Sequence, residues 1–397
     1  MIERKEYLKK LIGFKDKHLI KIITGIRRCG KSTLFEIFQN YLLENNVDKS
    51  QIIAINFEDV DNEKLTDYKV LHDYINSKLV SEKMNYIFLD EIQNVPNFQK
   101  AIDSLFIKKN VDLYLTGSNA YMLSGEISTL LSGRYVEIQM LPLAFKEYLS
   151  AFPDNTNLTR QYRTYLENSS FPYTLELNND KKLIKDYLSG IYNSVILKDV
   201  VMRNKIADVT MLESIIKFMF DNISNISSTK KISDTMTSCG RKITAPTVEN
   251  YLKALINSFI LYHVGRYDVK GKQHLKTGEK YYVVDIGLRY FLLGSQKTDW
   301  GHVLENIIYL ELLRRGYEIY IGKVGTLEVD FVAIKDGNTE YYQIAQTVSL
   351  PETLTRELKP LESIKDHNPK FLITLDDVPL TTHKGIKQIN ALDWLCE

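Results

Sequence analysis

Eight residues constrain this chain more than any other feature of it. Gly25 to Ser32, GIRRCGKS, close an apolar run (HLIKIITG, from His18) and open a helical pattern carrying Leu34, Ile37, Phe38, Tyr41 and Leu42 on one face. The octet fits G-x-x-x-x-G-K-[ST], the P-loop, and it lies between strand and helix as that motif requires. Each residue type has a physical reason. Gly25 and Gly30 let the backbone curl so that successive N–H groups point at phosphate oxygens. Those donors sit at the positive end of the following helix. Lys31 is placed to reach the β and γ phosphates of ATP, and the Ser32 hydroxyl to ligate Mg2+. Arg28, Cys29 and Thr33 complete the expected nucleotide-binding set, Thr33 as a supporting helix residue.

A strand-to-helix turn of this kind belongs to a parallel sheet. After the first strand come QIIAINFED (from Gln51), YIFLDE (from Tyr86), VDLYLTGS (from Val111) and Tyr135 to Met140. Near-continuous apolar strands alternating with helical patterns predict an α/β domain whose parallel sheet is covered on both faces. In such a sheet the ligand lies beyond the C-terminal strand ends. Asp90 ends the third strand and is expected to hold the magnesium, mostly through water. Glu91 beside it is placed to polarise the attacking water, and an acidic pair here favours hydrolysis over transfer to a small acceptor. Asn119, or Thr116 or Ser118, ends the fourth strand and is expected to position the same water. Arg134, in LSGRYVEIQMLPL, reads equally as an arginine finger reaching the γ phosphate of a neighbouring subunit or as half of a structural ion pair.

GIRRCGKS, FLDEIQ, LTGSN, LSGR and PLAFKEY, in this order, resemble the prokaryotic AAA-type ATPases of the AAA+ superfamily that carry a C-terminal domain of uncharacterised function. The resemblance runs over most of the chain. It implies ATP binding at Gly30, Lys31, Ser32 and Thr33, an acidic pair at Asp90 and Glu91, a sensor at Asn119 and a finger at Arg134. It also implies glycines ahead of the Phe-Pro pair at Phe171, where this chain has Ser169 and Ser170. That departure concerns a local turn and not the activity.

With 397 residues, 44% of them hydrophobic and 25% charged, the chain has material for several packed cores. The expected domains are a P-loop ATPase over 1–157, a helical linker or lid over 158–210, a winged-helix-like domain over 211–295, and a restriction-endonuclease-like α/β domain over 296–397. Leu183 to Arg203 and Met211 to Ile223 are the clearest amphipathic helices of the middle region. A short helix near Ile232 to Met236, a turn at Gly240, a helix from Ala245 to Ile256 with Thr244 as its cap, and a strand pair (FILYHVGRY, EKYYVVD) together resemble a winged helix. Lys230, Lys231, Arg241, Lys242 and Lys253 flank it. Its wing carries Lys270, Lys272, His274, Lys276 and Lys280 against Asp268 and Glu279. This pattern suits contact with a DNA backbone, a solvated hairpin or a protein-docking surface. Arginine, the usual reader of bases, is scarce there.

The last domain resembles the PD-(D/E)XK nuclease fold, with Glu305 on a helix (Val303 to Arg314), Asp330 in LEVDFVA and Gln343 in YYQIAQ. The lysine that would support the attacking hydroxide falls on Ala345. The fold is therefore expected without the nuclease activity, Lys323 and Lys335 being the substitutes the sequence offers.

Other classes are excluded. Lys and Arg number 51 against 50 Asp and Glu, so any basic surface is local. The charged N-terminus is no secretory signal, and no run approaches the ~20 apolar residues of a membrane span. Cys29, Cys239 and Cys396 have neither disulfide nor zinc spacing, so a cytoplasmic protein is expected, with Cys29 as a candidate for oxidation. The leading expectation is a Mg2+-dependent ATPase, with a homo-oligomer if Arg134 acts between subunits, that couples hydrolysis to nucleic-acid or protein partners. The alternatives are a nucleotide-switched scaffold with negligible turnover, and an ATP-gated nuclease that Ala345 disfavours.

Overall fold

The computed structural model describes residues 2–120, 133–152, 157–204, 206–294 and 299–397. The chain forms two compact units, Met1–Pro142 with Asn257–Phe259, and Leu143–Ile256 with Ile260–Glu397.

The first unit opens with helix α1 (Lys5–Phe14), then alternates strand and helix: β1 (Ile20–Thr24), α2 (Lys31–Glu44), β2 (Ile52–Asn56), α3 (Tyr68–Lys78), β3 (Asn85–Asp90), α4 (Phe98–Phe106), β4 (Val111–Gly117) and β5 (Tyr135–Gln139). The five strands make one parallel sheet in the order β2-β3-β4-β1-β5. Every residue of β1, β3 and β4 is buried, as a sheet covered on both faces demands. On one face Leu71 and Ile75 of α3 and Phe98, Ile102 and Leu105 of α4 pack against Ile22, Ile53, Ile87, Leu89, Leu113 and Leu115. Phe35 and Phe38 of α2 meet Phe88 edge-on, Phe38 also lies tilted against Tyr114, and Phe88 and Tyr114 stack on each other. Full burial also claims a charged pair, because Lys21 on β1 meets Asp112 on β4 and Asp112 further accepts from the Tyr114 hydroxyl at 2.8 Å. These layers leave the strand-to-helix turn after β1 in the middle of the C-terminal sheet edge.

The second unit begins with helices: α5 (Phe145–Leu149), α6 (Leu158–Asn168), α7 (Lys181–Ile191), α8 (Asp199–Asn204), α9 (Val209–Asp221), α10 (Thr229–Ser238) and α11 (Ala245–Asn257). The Leu183 to Arg203 stretch is not one helix, since a π-type turn at Tyr192–Lys198 separates α7 from α8. Hairpin β6 (Leu261–Asp268) and β7 (Gln273–Val283) follows α11, and Ser227 bridges back to Glu279 of β7. Then come α12 (Ile286–Leu293), α13 (Trp300–Arg314), β8 (Glu318–Val324), β9 (Leu327–Lys335), β10 (Asn338–Ala345), α14 (Pro351–Glu362), β11 (Lys370–Thr374), β12 (Thr381–His383), β13 (Ile386–Asn390) and α15 (Ala391–Cys396). One mixed sheet joins all these strands in the order β12-β13-β11-β10-β9-β8-β6-β7, through a parallel β6–β8 pairing. The hairpin of the winged-helix-like segment is therefore continuous with the sheet of the last hundred residues.

The departure at Phe171 has a structural correlate. Ser169 holds φ 79 and ψ 153, a region that glycine adopts without strain. Gly287 passes so close that a Cβ there would lie 2.4 Å from the Ser169 Cα. Ser170 then donates from both N (2.7 Å) and Oγ (2.6 Å) to the buried Asp285 carboxylate. Among the described residues, no helix is long and apolar enough to cross a membrane.

Candidate nucleotide site

Between β1 and α2 the backbone takes conformations that only a few residues tolerate. Gly25 has φ 147, and a Cβ on it would meet the Met140 carbonyl oxygen at 2.2 Å. Gly30 has φ 101 and N-caps α2, whose first-turn N–H groups no side chain caps. Arg28, with φ 67, enters the left-handed region without being glycine and points into solvent. The loop therefore presents the start of a 14-residue helix as a ready anion site.

Lys31 is buried at the base of this loop. Its ammonium donates to the Gly25 carbonyl at 3.1 Å and to the Ile26 carbonyl at 3.3 Å, and lies 3.5 Å from Glu91 Oε1. Ser32 is exposed beside it and Thr33 half-buried. Cys29 is fully buried, and its carbonyl accepts from Arg4 Nη1 at 2.9 Å. Burial pushes its thiol pKa up against the pull of Lys31 and Arg4. A buried, protonated thiol is inert, which argues against the oxidation expected there.

The acidic pair closes the site from β3. Asp90 is the last residue of that strand, and Glu91 follows with φ 55 and ψ 46. One residue of β4 arranges both: the Thr116 hydroxyl donates to Asp90 Oδ1 and accepts from the Glu91 backbone N–H at 2.8 Å. Glu91 Oε2 accepts from Gln93 Nε2 and, at 3.0 Å, from Ser118 Oγ. Burial raises the pKa of this carboxyl. The Lys31 ammonium and these two hydrogen bonds outweigh it and hold the group below the ordinary carboxylate value. A carboxylate kept ionised beside the Lys31 ammonium is available to accept a hydrogen bond from water. Asn119 is buried two residues beyond the end of β4. Gly25, Gly30, Lys31, Ser32, Asp90, Glu91 and Asn119 thus share the C-terminal edge of one sheet.

Arg134 does not. It immediately precedes β5, and its carbonyl accepts from Ile20 N at the start of β1, at 2.8 Å. It therefore lies at the N-terminal edge of the sheet, where it pairs with Asp103 on α4 and its guanidinium stands 5.8 Å from the Phe106 ring centroid. Leu131 and Ser132 of the LSGR motif lie outside the described residues.

Thr116, an expected candidate for placing a water, ties Asp90 to Glu91 through its hydroxyl. One further contributor carries no sequence signal. Arg4, 3% exposed, donates to the Cys29 carbonyl at 2.9 Å and to the Leu141 carbonyl at 2.6 Å, while Leu141 N donates to Tyr7 OH at 3.0 Å. The N-terminal segment thereby clamps the nucleotide loop to the chain after β5.

In the second unit Glu305, Asp330 and Gln343 are all buried. Gln343 Nε2 donates to Glu357 at 3.0 Å, and its Oε1 has no hydrogen-bond partner. Of the two substitute lysines, Lys335 donates to the Arg315 carbonyl at 2.8 Å. Lys280, expected on the wing, is buried against Glu305 at 3.0 Å. Lys230, Lys231, Arg241, Lys242, Lys270 and Lys272 are exposed. Among the described residues, no group of three or more His, Cys, Asp or Glu side chains is arranged to hold a metal ion.

With this geometry in hand, comparison with known proteins is informative. Residues 17–149 match the family described as an AAA domain, and residues 159–299 match a domain of unknown function. A Haemophilus influenzae protein, described as uncharacterized, is 39% identical over 401 residues, covering 100% of this chain and 99% of its own length. A Methanocaldococcus jannaschii protein, also described as uncharacterized, is 31% identical over 385 residues, covering 91% of this chain and 81% of its own. Among solved structures, a Walker-type ATPase of Pyrococcus abyssi superposes with a TM-score of 0.50 at 15% identity, over 74% of this chain and 96% of that one. The family match and this shared fold give the N-terminal part the fold of an AAA-type P-loop NTPase domain.

Proposed function

This chain belongs to one protein family with its Haemophilus influenzae and Methanocaldococcus jannaschii relatives, and we propose that its AAA domain binds ATP with Mg2+ and hydrolyses it. The observation that carries this reading is the meeting of Lys31 and Glu91, 3.5 Å apart and both buried, at the uncapped start of α2. A phosphate-binding ammonium and a water-polarising carboxylate stand where a γ phosphate and its attacking water must be neighbours.

In this reading the backbone N–H groups after Gly25 and Gly30 hold the phosphates, and Lys31 turns its ammonium from the Gly25 and Ile26 carbonyls to the β and γ oxygens. Ser32 and Asp90 fit the magnesium, Ser32 because its hydroxyl is exposed at the helix start and Asp90 because Thr116 fixes its carboxylate at the strand end. The metal supplies neutralisation of phosphate charge. Glu91 orients the attacking water and takes its proton, and Asn119 fixes that water from the neighbouring strand. Arg134, at the opposite sheet edge, serves the nucleotide of a neighbouring copy.

The basic residues around α10, α11 and the β6–β7 turn contact nucleic-acid phosphates, and hydrolysis is coupled to that contact or to a protein docked there. The test is ATP binding and phosphate release by the purified full chain, with and without duplex DNA. Lys31→Ala should abolish ATP binding, and unchanged affinity would remove the P-loop from the mechanism. Turnover stimulated by DNA in a salt-sensitive way would identify nucleic acid as the partner. Turnover indifferent to DNA would point to protein.

A further inference from the structure

Strand β7 ends in EKYYV, in which Lys280 and Tyr282 share a face and are both buried. A lysine there needs anionic partners, and three are present. Lys280 Nζ lies 3.0 Å from Glu305 Oε1 on α13, 3.0 Å from Glu328 Oε1 and 3.7 Å from Asp330 Oδ1 on β9, with the lysine side chain 5% exposed. Two further donors reach these carboxylates. The Tyr282 hydroxyl donates to Glu305 Oε1 at 2.7 Å, and Ile344 N donates to Asp330 Oδ2 at 2.8 Å.

We propose that the Lys280 ammonium is the permanent counter-cation of Glu305, Glu328 and Asp330, standing where a nuclease-like fold would put a divalent metal, so that this domain takes none. The residues do not fit a metal. Mg2+ asks for near-octahedral oxygens at about 2.0–2.1 Å. Here the two residues expected as its ligands, Glu305 and Asp330, instead converge on a nitrogen that carries positive charge of its own. A dication among the same oxygens would meet that ammonium at contact range. Gln343 Oε1, buried and unpartnered on the adjacent strand, adds a neutral acceptor and no charge.

The charge states agree with this arrangement. Burial lowers the Lys280 pKa, but the carboxylates of Glu305, Asp330 and Glu328 more than reverse that and raise it above the ordinary lysine value, so the cation persists.

The inference is independent of the ATPase reading, and its test leaves nucleotide out. Mn2+ binding to the full chain is followed by electron paramagnetic resonance and by thermal shift, for wild type, Asp330→Asn, Lys280→Ala and Lys280→Ala/Asp330→Asn. The expected result is that Asp330→Asn leaves wild-type Mn2+ binding unchanged. Lys280→Ala should be less stable, gain at least tenfold in Mn2+ affinity, and lose that gain when Asp330→Asn is added. Wild-type Mn2+ binding that Asp330→Asn weakens tenfold would overturn the proposal. So would a folded Lys280→Ala protein that gains no Mn2+ site. If Lys280→Ala does not fold, Lys280→Arg keeps a cation in place and should fold and ignore Mn2+, and the comparison of wild type with Asp330→Asn still decides.

Discussion

Replacing Glu91 by glutamine separates the two jobs this residue holds, and the structure gives a size for each. Lys31 Nζ and Glu91 Oε1 are 3.5 Å apart with side chains 3% and 7% exposed. At an effective dielectric of about 20, two unit charges at that distance attract by about 5 kcal/mol. Deleting one member of a buried pair typically costs about 3–5 kcal/mol. The low end applies here, because a glutamine oxygen still accepts from Ser118 and Lys31 keeps the Gly25 and Ile26 carbonyls. A loss of about 3 kcal/mol lowers the melting temperature of a unit this size by roughly 6–12 °C. Saturating ATP and Mg2+ return an anion to Lys31, so the gap should narrow with nucleotide. Catalysis is affected separately, since losing a positioned base slows turnover by about 10²–10⁴-fold. The pH dependence has a definite sign. The folded pKa of Glu91 is depressed, so its contribution is complete above the ordinary carboxylate pKa and disappears as pH falls through the depressed value. The wild-type advantage in stability should therefore vanish in acid. Melting curves with and without ATP, paired with phosphate release, read both effects. Equal turnover would assign the water to another residue. Equal stability without nucleotide would show that the ion pair contributes nothing.

Thr116→Val keeps the shape of the side chain but removes the hydroxyl that joins Asp90 to the Glu91 backbone. It should cost about 1–3 kcal/mol through the orphaned buried N–H and reduce turnover more than ATP affinity, and an unchanged kcat would remove Thr116 from the site. Mixing Glu91→Gln with Arg134→Ala protein should change turnover relative to either alone if Arg134 acts between copies, whereas a fully active monomer excludes that role. Ser169→Gly relieves a glycine-type backbone conformation worth about 1–3 kcal/mol and gives up a 3.2 Å hydrogen bond from Phe171 N. The net gain should be about 1 kcal/mol in denaturant melts, and a loss would show that the serine hydroxyl outweighs the strain.

The parts of the site that could be read in the sequence are those whose geometry is local. A P-loop is eight consecutive residues, and a strand-ending acid pair is marked by the apolar run before it. Arg134 shows how much more a parallel sheet discloses: it precedes its strand while Asp90 ends one, so the two must lie at opposite edges. An arginine finger placed there reaches a nucleotide only where a neighbour's C-terminal sheet edge lies against this N-terminal edge, and that restricts the assemblies in which it could act. Thr116 could be named as a strand-end candidate but not as the link between Asp90 and Glu91, and Arg4 was not legible, because an N-terminal arginine resembles any other until the fold brings it beside Cys29. The short β12 and β13 were missed for a different reason, since strands of three and five residues carry too little periodicity to read. Lys280 lies between these cases. The sequence reads it as one of the wing's basic residues, and the chain alone says neither that it is buried nor which carboxylates answer it. Ala345 marked a missing lysine on β10, yet the cation comes from β7, 65 positions earlier in the sequence. A motif read only along the chain locates the loss and misses the replacement. Whether that replacement restores a catalytic lysine or fills a metal site is then a question of charge geometry, and an ammonium shared among three carboxylates answers in favour of the second.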